Sequence, residues 1–408
     1  MLYRDTSIYH CFRWMYHVVF YTGCLSLRLR KDQPHLARWN IVYTITIRIA
    51  LLVGFFGAIS IKIGDDESAK AMFGQLSPVL CFILVLESSL STGTYLLVFI
   101  IMDTQKKIHM DLADKFKRLD NHMQKIFPQI NWNYHKTTRK YTPLCNAVVT
   151  IYLGISLIYV FNMANCSCNF MSTIIIAASY GCLTVGPACI GFLHIGMMDF
   201  LRIRYRLCLK LFDQYYNKAH NNTAARVVGG DNVEAKVVIL ISSFKQYTAL
   251  ILDINDVFSF VCAAGVFYDF GILTSMVFLL CQKATESETS PKEYAFMLVL
   301  LTLRIYKISM TTVYGYLVAS EVFKNRATCL HRILLCEQFF PKSAAVREAL
   351  SQFLHWQRHN KYDLTIGQSI KVLNGIANYV IILIQLQFQQ MNIRNQLKVM
   401  DASMVETT

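Results

Sequence analysis

The chain has 408 residues, of which 54% are apolar and only 16% charged, with a mean hydropathy of +0.36. A soluble domain carries about a quarter charged side chains, so these figures exclude an ordinary water-soluble enzyme and point to an all-α polytopic membrane protein. The 40 Lys and Arg against 26 Asp and Glu give a net charge of +14, but the excess lies between apolar stretches, so it implies no nucleic acid partner. The 13 cysteines are scattered, mostly within apolar runs, and read as small core residues rather than as a disulfide framework.

A helix needs about 20 mainly apolar residues to cross the hydrocarbon core, and seven stretches meet that length: 39–61, 75–102, 143–163, 171–198, 257–281, 294–318 and 367–388. Before the first lies HVVFYTGCLSL at 17–27, too short to span and expected as an interfacial helix. The predicted organisation is therefore an N-terminal segment at 1–38 and six spans with helical extensions over 39–318. An anchor region at 319–366, the last span at 367–388 and a tail at 389–408 complete it. Between spans, DLADKFKRLDNHMQKIF at 111–127 sets Leu112, Phe116, Leu119, Met123 and Phe127 at helical spacing. LRIRYRLCLKLFDQYY at 201–216 continues span four, and NNTAARVVGGDN at 221–232 reads as a flexible loop.

With seven spans, the segments 1–38, 103–142, 199–256 and 319–366 share one side and hold 30 of the 40 Lys and Arg, against 6 on the other side. Positive charge stays cytoplasmic, so the N-terminus is expected inside and the C-terminus outside. That is the reverse of a G-protein-coupled receptor, and it disfavours that class despite the matching span count.

Span seven is the most polar. At 100° per residue, Lys371, Asn374, Asn378, Ile382, Gln385 and Gln389 fall within roughly 80° of one another. Such a stripe either lines an aqueous path or is satisfied by neighbouring helices, since polar groups left against lipid are costly. Elsewhere Asp269 and Arg304 stand level on spans five and six with Lys307 one turn deeper, and Glu87 and Arg48 stand level on spans two and one. These charges pair to fix packing or contact a ligand. Tyr95, Tyr152, Tyr159, Tyr180, Tyr268 and Tyr306 add apolar bodies with polar tips suited to a small amphipathic ligand. Pro78 and Pro187, with Gly181 and Gly186, are expected to bend spans two and four and open space between them. His355, His359 and Asp363 share a helix face and are ligand types zinc accepts. They lie in the charged stretch HWQRHNKYD and read as a solvated face, so no metal, no cofactor and no enzymatic activity are expected. A transporter could use the same stripe and charges, but the two related halves usual in that class are not visible.

Asn378-Tyr379, five hydrophobic residues and Gln385-Leu386 resemble the C-terminal signature of insect gustatory receptors, Thr-Tyr, five hydrophobic residues and Gln-Phe. Asn378 stands in place of Thr and Leu386 in place of Phe. The resemblance extends to span number, N-terminal side, chain length and long intracellular helices. It implies a tetrameric ligand-gated cation channel of the plasma membrane, homomeric or formed with related receptors, which takes a small tastant, passes cations and sits in a sensory neuron. It implies a pore ringed by Ile382, Gln385 and Leu386 with Tyr379 packed beside them. The implied ligand pocket, in the outer half of the bundle, has Glu87, Tyr95, Tyr159, Tyr180, Tyr268, Asp269 and Arg304 as candidates.

Overall fold

The computed structural model describes residues 8–30, 33–64, 78–132, 134–164, 170–221, 230–285, 315–339 and 343–359, with a few single positions between 298 and 306. Within these the chain is helical apart from one small hairpin: α1 (Ile8–Cys11), α2 (Arg13–Tyr21), β1 (Arg28–Arg30), β2 (Gln33–His35), α3 (Arg38–Gly64), α4 (Pro78–Thr104), α5 (Lys106–Ile126), α6 (Tyr134–Ala164), α7 (Phe170–Asn221), α8 (Gly230–Thr285), α9 (Gly315–Phe339) and α10 (Ala344–His359). The all-α class is as expected. Three of the helices, α3, α7 and α8, are long and apolar enough to cross a membrane. At 1.5 Å per residue, the 52 residues of α7 and 56 of α8 extend about 78 and 84 Å, well beyond a hydrocarbon core of about 30 Å. The expected continuation at 201–216 is thus one helix with the span that precedes it. The loop expected at 221–232 lies mostly outside the described residues.

Helix α7 is the axis of the bundle and touches α2, α3, α4, α6, α8 and α9. Its most apolar stretch is 61% buried, against 22% for α3, so α7 is enclosed by protein while α3 keeps one side open. Side-chain pairs fix the register. Lys140 and Tyr141 meet Asp199, and Tyr205 meets Thr248 while His194 meets Cys262. Cys145 also meets Cys189, and partner numbers that fall as the others rise mean that α6, α7 and α8 alternate in direction. Arg202 meets Glu321 and Asp213 meets Arg332, so α7 and α9 run parallel.

The expected stripe on α5 is the face that docks. Leu112, Phe116, Leu119, Met123 and Phe127 are all buried, and α5 packs on α8. One charged group lies on that face as well. Asp120 accepts from Arg204 Nε at 3.3 Å, from Tyr247 Oη at 2.9 Å, and from Arg204 Nη2 and Tyr134 Oη at short range. The guanidinium is fully buried, with its carbon 3.9 Å from the Phe200 ring centroid and 4.9 Å from that of Trp132. Asp120, Tyr134, Arg204 and Tyr247 each come from a different helix, so α5, α6, α7 and α8 are held at one level.

The stretch 17–27 is only partly helical. After α2 ends, Cys24, Leu25 and Leu27 are 0% exposed and form a turn inside the bundle, where the hydroxyls of Thr22 and Ser26 find partners at the Val18 carbonyl and Asp103. Gly23 takes φ +76°, which a side chain would strain, and a Cβ there would sit 2.9 Å from Tyr95 Oη. Arg48 Nε donates to the Gly23 carbonyl at 2.7 Å, and Arg48 Nη1 pairs with Asp103 at 2.6 Å. The sequence pointed to Glu87 as the partner of Arg48, and the Glu87 side chain lies outside the described set. The long arginine stem carries its charge along the helix toward the polar end, where Asp103 also accepts from Ser26 Oγ at 2.7 Å. Gly186 does not open space either, since a Cβ there would collide with Thr22 and Cys24. The turn fills the gap beside Pro187.

His109 is buried on the docking face of α5, its Nε2 2.6 Å from Tyr16 Oη and its ring 5.6 Å from Phe258. Burial pushes its pKa down to about 4, so the folded state holds it neutral.

Two outcomes follow from these contacts. Asp120→Ala strands a buried guanidinium and should destabilise the protein by about 3–5 kcal/mol, read as a lower unfolding midpoint in detergent. The double replacement Asp120→Leu with Arg204→Met should recover most of that loss. Between pH 6.5 and 4 the unfolded chain protonates His109 and the folded chain does not, so stability should fall with falling pH at up to about 1.4 kcal/mol per unit. His109→Gln should flatten that part of the pH profile.

Candidate functional site

Two of the expected pocket residues are brought together. Tyr180 on α7 and Tyr268 on α8 face each other with hydroxyl oxygens 3.4 Å apart. Tyr268 is 4% exposed, and Asp269 beside it is 3% exposed. One turn away on each helix, Ile176 and Ile272 are buried and continue the two faces as apolar wall. The backbone approach is close, because a Cβ on Gly271 would lie 2.6 Å from Leu90 Cδ1 of α4. On the other side α3 meets α7 at Gly54, where a Cβ would lie 3.3 Å from Ile175 Cγ2 and 3.5 Å from Ser179 Oγ. Four helices therefore converge on a small polar spot set in apolar surroundings.

Local sequence explains why α7 meets α8 here. Thr184 Oγ1 donates to the carbonyls of Tyr180 and Gly181 at 2.9 and 3.1 Å, and Pro187 removes one backbone donor a turn later. Both features favour bending just below Tyr180. Further along the same interface, His194 Nδ1 stands 3.3 Å from Cys262 Sγ.

Tyr95 belongs elsewhere. It is fully buried, donates to the Thr22 carbonyl at 2.8 Å, and packs against Phe99 at 5.9 Å. Its hydroxyl secures the N-terminal turn. Glu87 and Tyr159 lie on α4 and α6, but their side chains are outside the described set, and Arg304 and Lys307 are outside the described residues. So are all the pore positions, Lys371, Asn374, Asn378, Tyr379, Ile382, Gln385, Leu386 and Gln389. Tyr152 is 6% exposed and Tyr306 47% exposed. His355 is exposed, while the His359 side chain and Asp363 lie outside the described set. Among the described residues no group of three His, Cys, Asp or Glu is arranged to hold a metal ion.

Two phenol hydroxyls set among buried aliphatic side chains form the polar part of this spot. They offer donors and acceptors to a ligand with a polar group and an apolar body. The sequence missed the Asp120–Arg204 hub and the Asp103 partner of Arg48, although a carboxylate one residue after Leu119 on an apolar stripe was a visible signal.

No protein-family model matches the chain. It is 32% identical over 403 residues to the Drosophila melanogaster protein named gustatory receptor 47b, an alignment that covers 96% of this chain and 94% of that one. It is 21% identical over 401 residues to the protein named gustatory receptor 57a of the same fly, covering 94% and 93%. With apolar helices of spanning length, an all-α bundle and a full-length relative at this identity, the chain belongs to the insect gustatory receptor family and is a membrane protein with a chemosensory receptor role.

Proposed function

We propose that the chain is one subunit of a ligand-gated cation channel in the plasma membrane of a sensory neuron, opened by a small organic tastant of bitter or otherwise aversive character. The observation that carries this reading is the likeness to a gustatory receptor over 96% of the chain. The polar stripe at 367–388 adds to it, because one stripe of roughly 80° cannot enclose water alone. Several copies around an axis can, and a tetramer, of this chain alone or with related receptors, meets that need.

In this reading the chain crosses the membrane seven times from a cytoplasmic N-terminus to an extracellular C-terminus. The alternation of α6, α7 and α8 supports it. So does the parallel course of α7 and α9. The ligand meets Tyr180, Tyr268 and Asp269, with Glu87, Tyr159 and Arg304 as further candidates. Ile382, Gln385 and Leu386 ring the pore, and Tyr379 packs near it. Lys371 points into a wide inner vestibule or aside, where it does not oppose cation flow. A ring of Leu386 stops ions by dewetting, and a ring of Gln385 offers carbonyl oxygens to a partly hydrated cation.

Expressed at matched surface levels, the receptor should give tastant-evoked cation currents. Leu386→Ser should raise current without ligand, and Gln385→Glu should change ion selectivity. Leu383, about 200° from Gln385 on the wheel, is the control, and Leu383→Val should affect expression more than permeation. Tyr268→Phe should move the ligand concentration for half-response while leaving maximal current near that of the parent. Substrate uptake without such currents would mark a transporter instead, and responses confined to sugars would overturn the aversive assignment.

Epitope tags at the two ends should be reached from opposite sides of the membrane in intact cells, the C-terminal one from outside. An extracellular N-terminus would overturn the topology.

A further inference from the structure

Residues 13–43 carry a surface that neither the core nor the tyrosine pair uses. On α2, Trp14 and Tyr21 are 54% and 53% exposed, with His17 between them at 6.4 Å from the Trp14 ring and 6.2 Å from the Tyr21 ring. Tyr21 meets Tyr43 of α3 at 6.4 Å. Trp39, one turn before Tyr43, is 81% exposed. Rings with polar edges thus run from α2 onto the first turns of α3.

Basic groups flank the strip. Arg13 Nε lies 3.5 Å from His17 Nε2, and the Arg28 guanidinium lies 5.9 Å from the Phe20 ring centroid. In the hairpin, Arg28 and Arg30 project from the exposed face of β1 while Leu29 is buried on the other. The antiparallel register sets exposed His35 opposite Arg28, and exposed Arg38 opens α3. Among the described residues no carboxylate pairs with Arg13, Arg28, Arg30 or Arg38, whereas Arg48, Arg202, Arg204, Arg206 and Arg332 each have one. Among the described residues, the cations that build the fold are paired with carboxylates and those on this surface are not.

We propose that this surface docks anionic phospholipid headgroups in the leaflet at the first turn of α3. Directly after Trp39, the open face of α3 is apolar, with Val42, Ile45, Ile49, Val53 and Phe56 all exposed, as for a helix side turned to lipid. The strip therefore sits where such a helix enters the headgroup layer, the depth at which Trp and Tyr collect. Guanidinium groups at that depth attract negative lipid and grip phosphate oxygens through two parallel N–H bonds. An acidic protein would have to occupy the headgroup layer itself, because the aromatic strip runs without a break into the apolar face. This assignment needs α3 to cross a bilayer and does not depend on which side its first turn faces.

The test uses the full chain in nanodiscs of phosphatidylcholine alone or mixed with phosphatidylserine. Both leaflets then carry the anionic lipid, so an inverted topology leaves the result unchanged. The unfolding midpoint of the parent should rise with phosphatidylserine, and the rise should shrink with added salt. The triple variant Arg13→Gln, Arg28→Gln, Arg30→Gln should keep the parent midpoint in phosphatidylcholine and lose the rise, while the corresponding triple Lys variant keeps it. Should the Gln triple fail to fold, the single variant Arg30→Gln serves, with part of the rise lost. As a readout without substitution at the arginines, brominated phosphatidylserine should quench the part of tryptophan emission that Trp14→Phe removes more than brominated phosphatidylcholine does. A parent with no rise, a Gln variant that keeps the full rise, or equal quenching by the two lipids would overturn the proposal.

Discussion

The Arg204–Asp120 pair is the constraint on which the polar half of the bundle depends. Removing two charges from water costs several kcal/mol each, and that cost is offset only when every lone pair and proton finds a partner. Asp120 receives Tyr134 and Tyr247 as well as the guanidinium, and Phe200 and Trp132 cover the cation. Each of these groups reaches the carboxylate from only one helical setting. A slip of α5 against α8 by a single residue would turn Asp120 out of the hub, so the arrangement is selective as well as stabilising.

The tyrosine pair lies on the same two long helices. Between the Tyr180–Tyr268 contact and the hub, α7 carries Thr184 and Pro187, and α8 is continuous. A ligand that separated the two phenols would push on helices pinned together farther along by Arg204, Tyr205 and Thr248. The free path for that displacement is a bend near Pro187, where the backbone already lacks one donor. The Thr22–Cys24 turn presses on that same point, so the N-terminal segment limits how far it can bend.

Periodicity made the helices legible, because a buried face leaves a stripe in the sequence. Leu112 to Phe127 on α5 and the extension of α7 past residue 200 follow that rule. Facing tyrosines were legible as a class but not as a pair, since nothing in one sequence says that Tyr180 meets Tyr268 while Tyr95 turns to Thr22. The Asp103 partner of Arg48 escaped the sequence for a physical reason: depth along a helix predicts backbone level, and an arginine head lies several ångströms from its own backbone. The turn at 22–27 was illegible because its place is set by a glycine more than 160 residues away. The pore positions were argued from the wheel and the signature alone.

That distance bears on how the protein is made. Thr22 and Cys24 cannot find their seat until Gly186 has been synthesised, and chain growth of about 5–20 residues per second puts roughly 10–30 s between them. Contacts this distant in sequence are slow to form even in a finished chain. Through that interval Cys24, Leu25 and Leu27, which end fully buried, have contacts from α3 and α4 to hold their turn but lack the α7 side of their cover. The segment must wait beside the ribosome or the bilayer while α3 and α4 insert, then close over the half-built bundle as α7 arrives. Biogenesis of this receptor is therefore most exposed to failure in its first thirty residues, far from the surfaces that meet ligand.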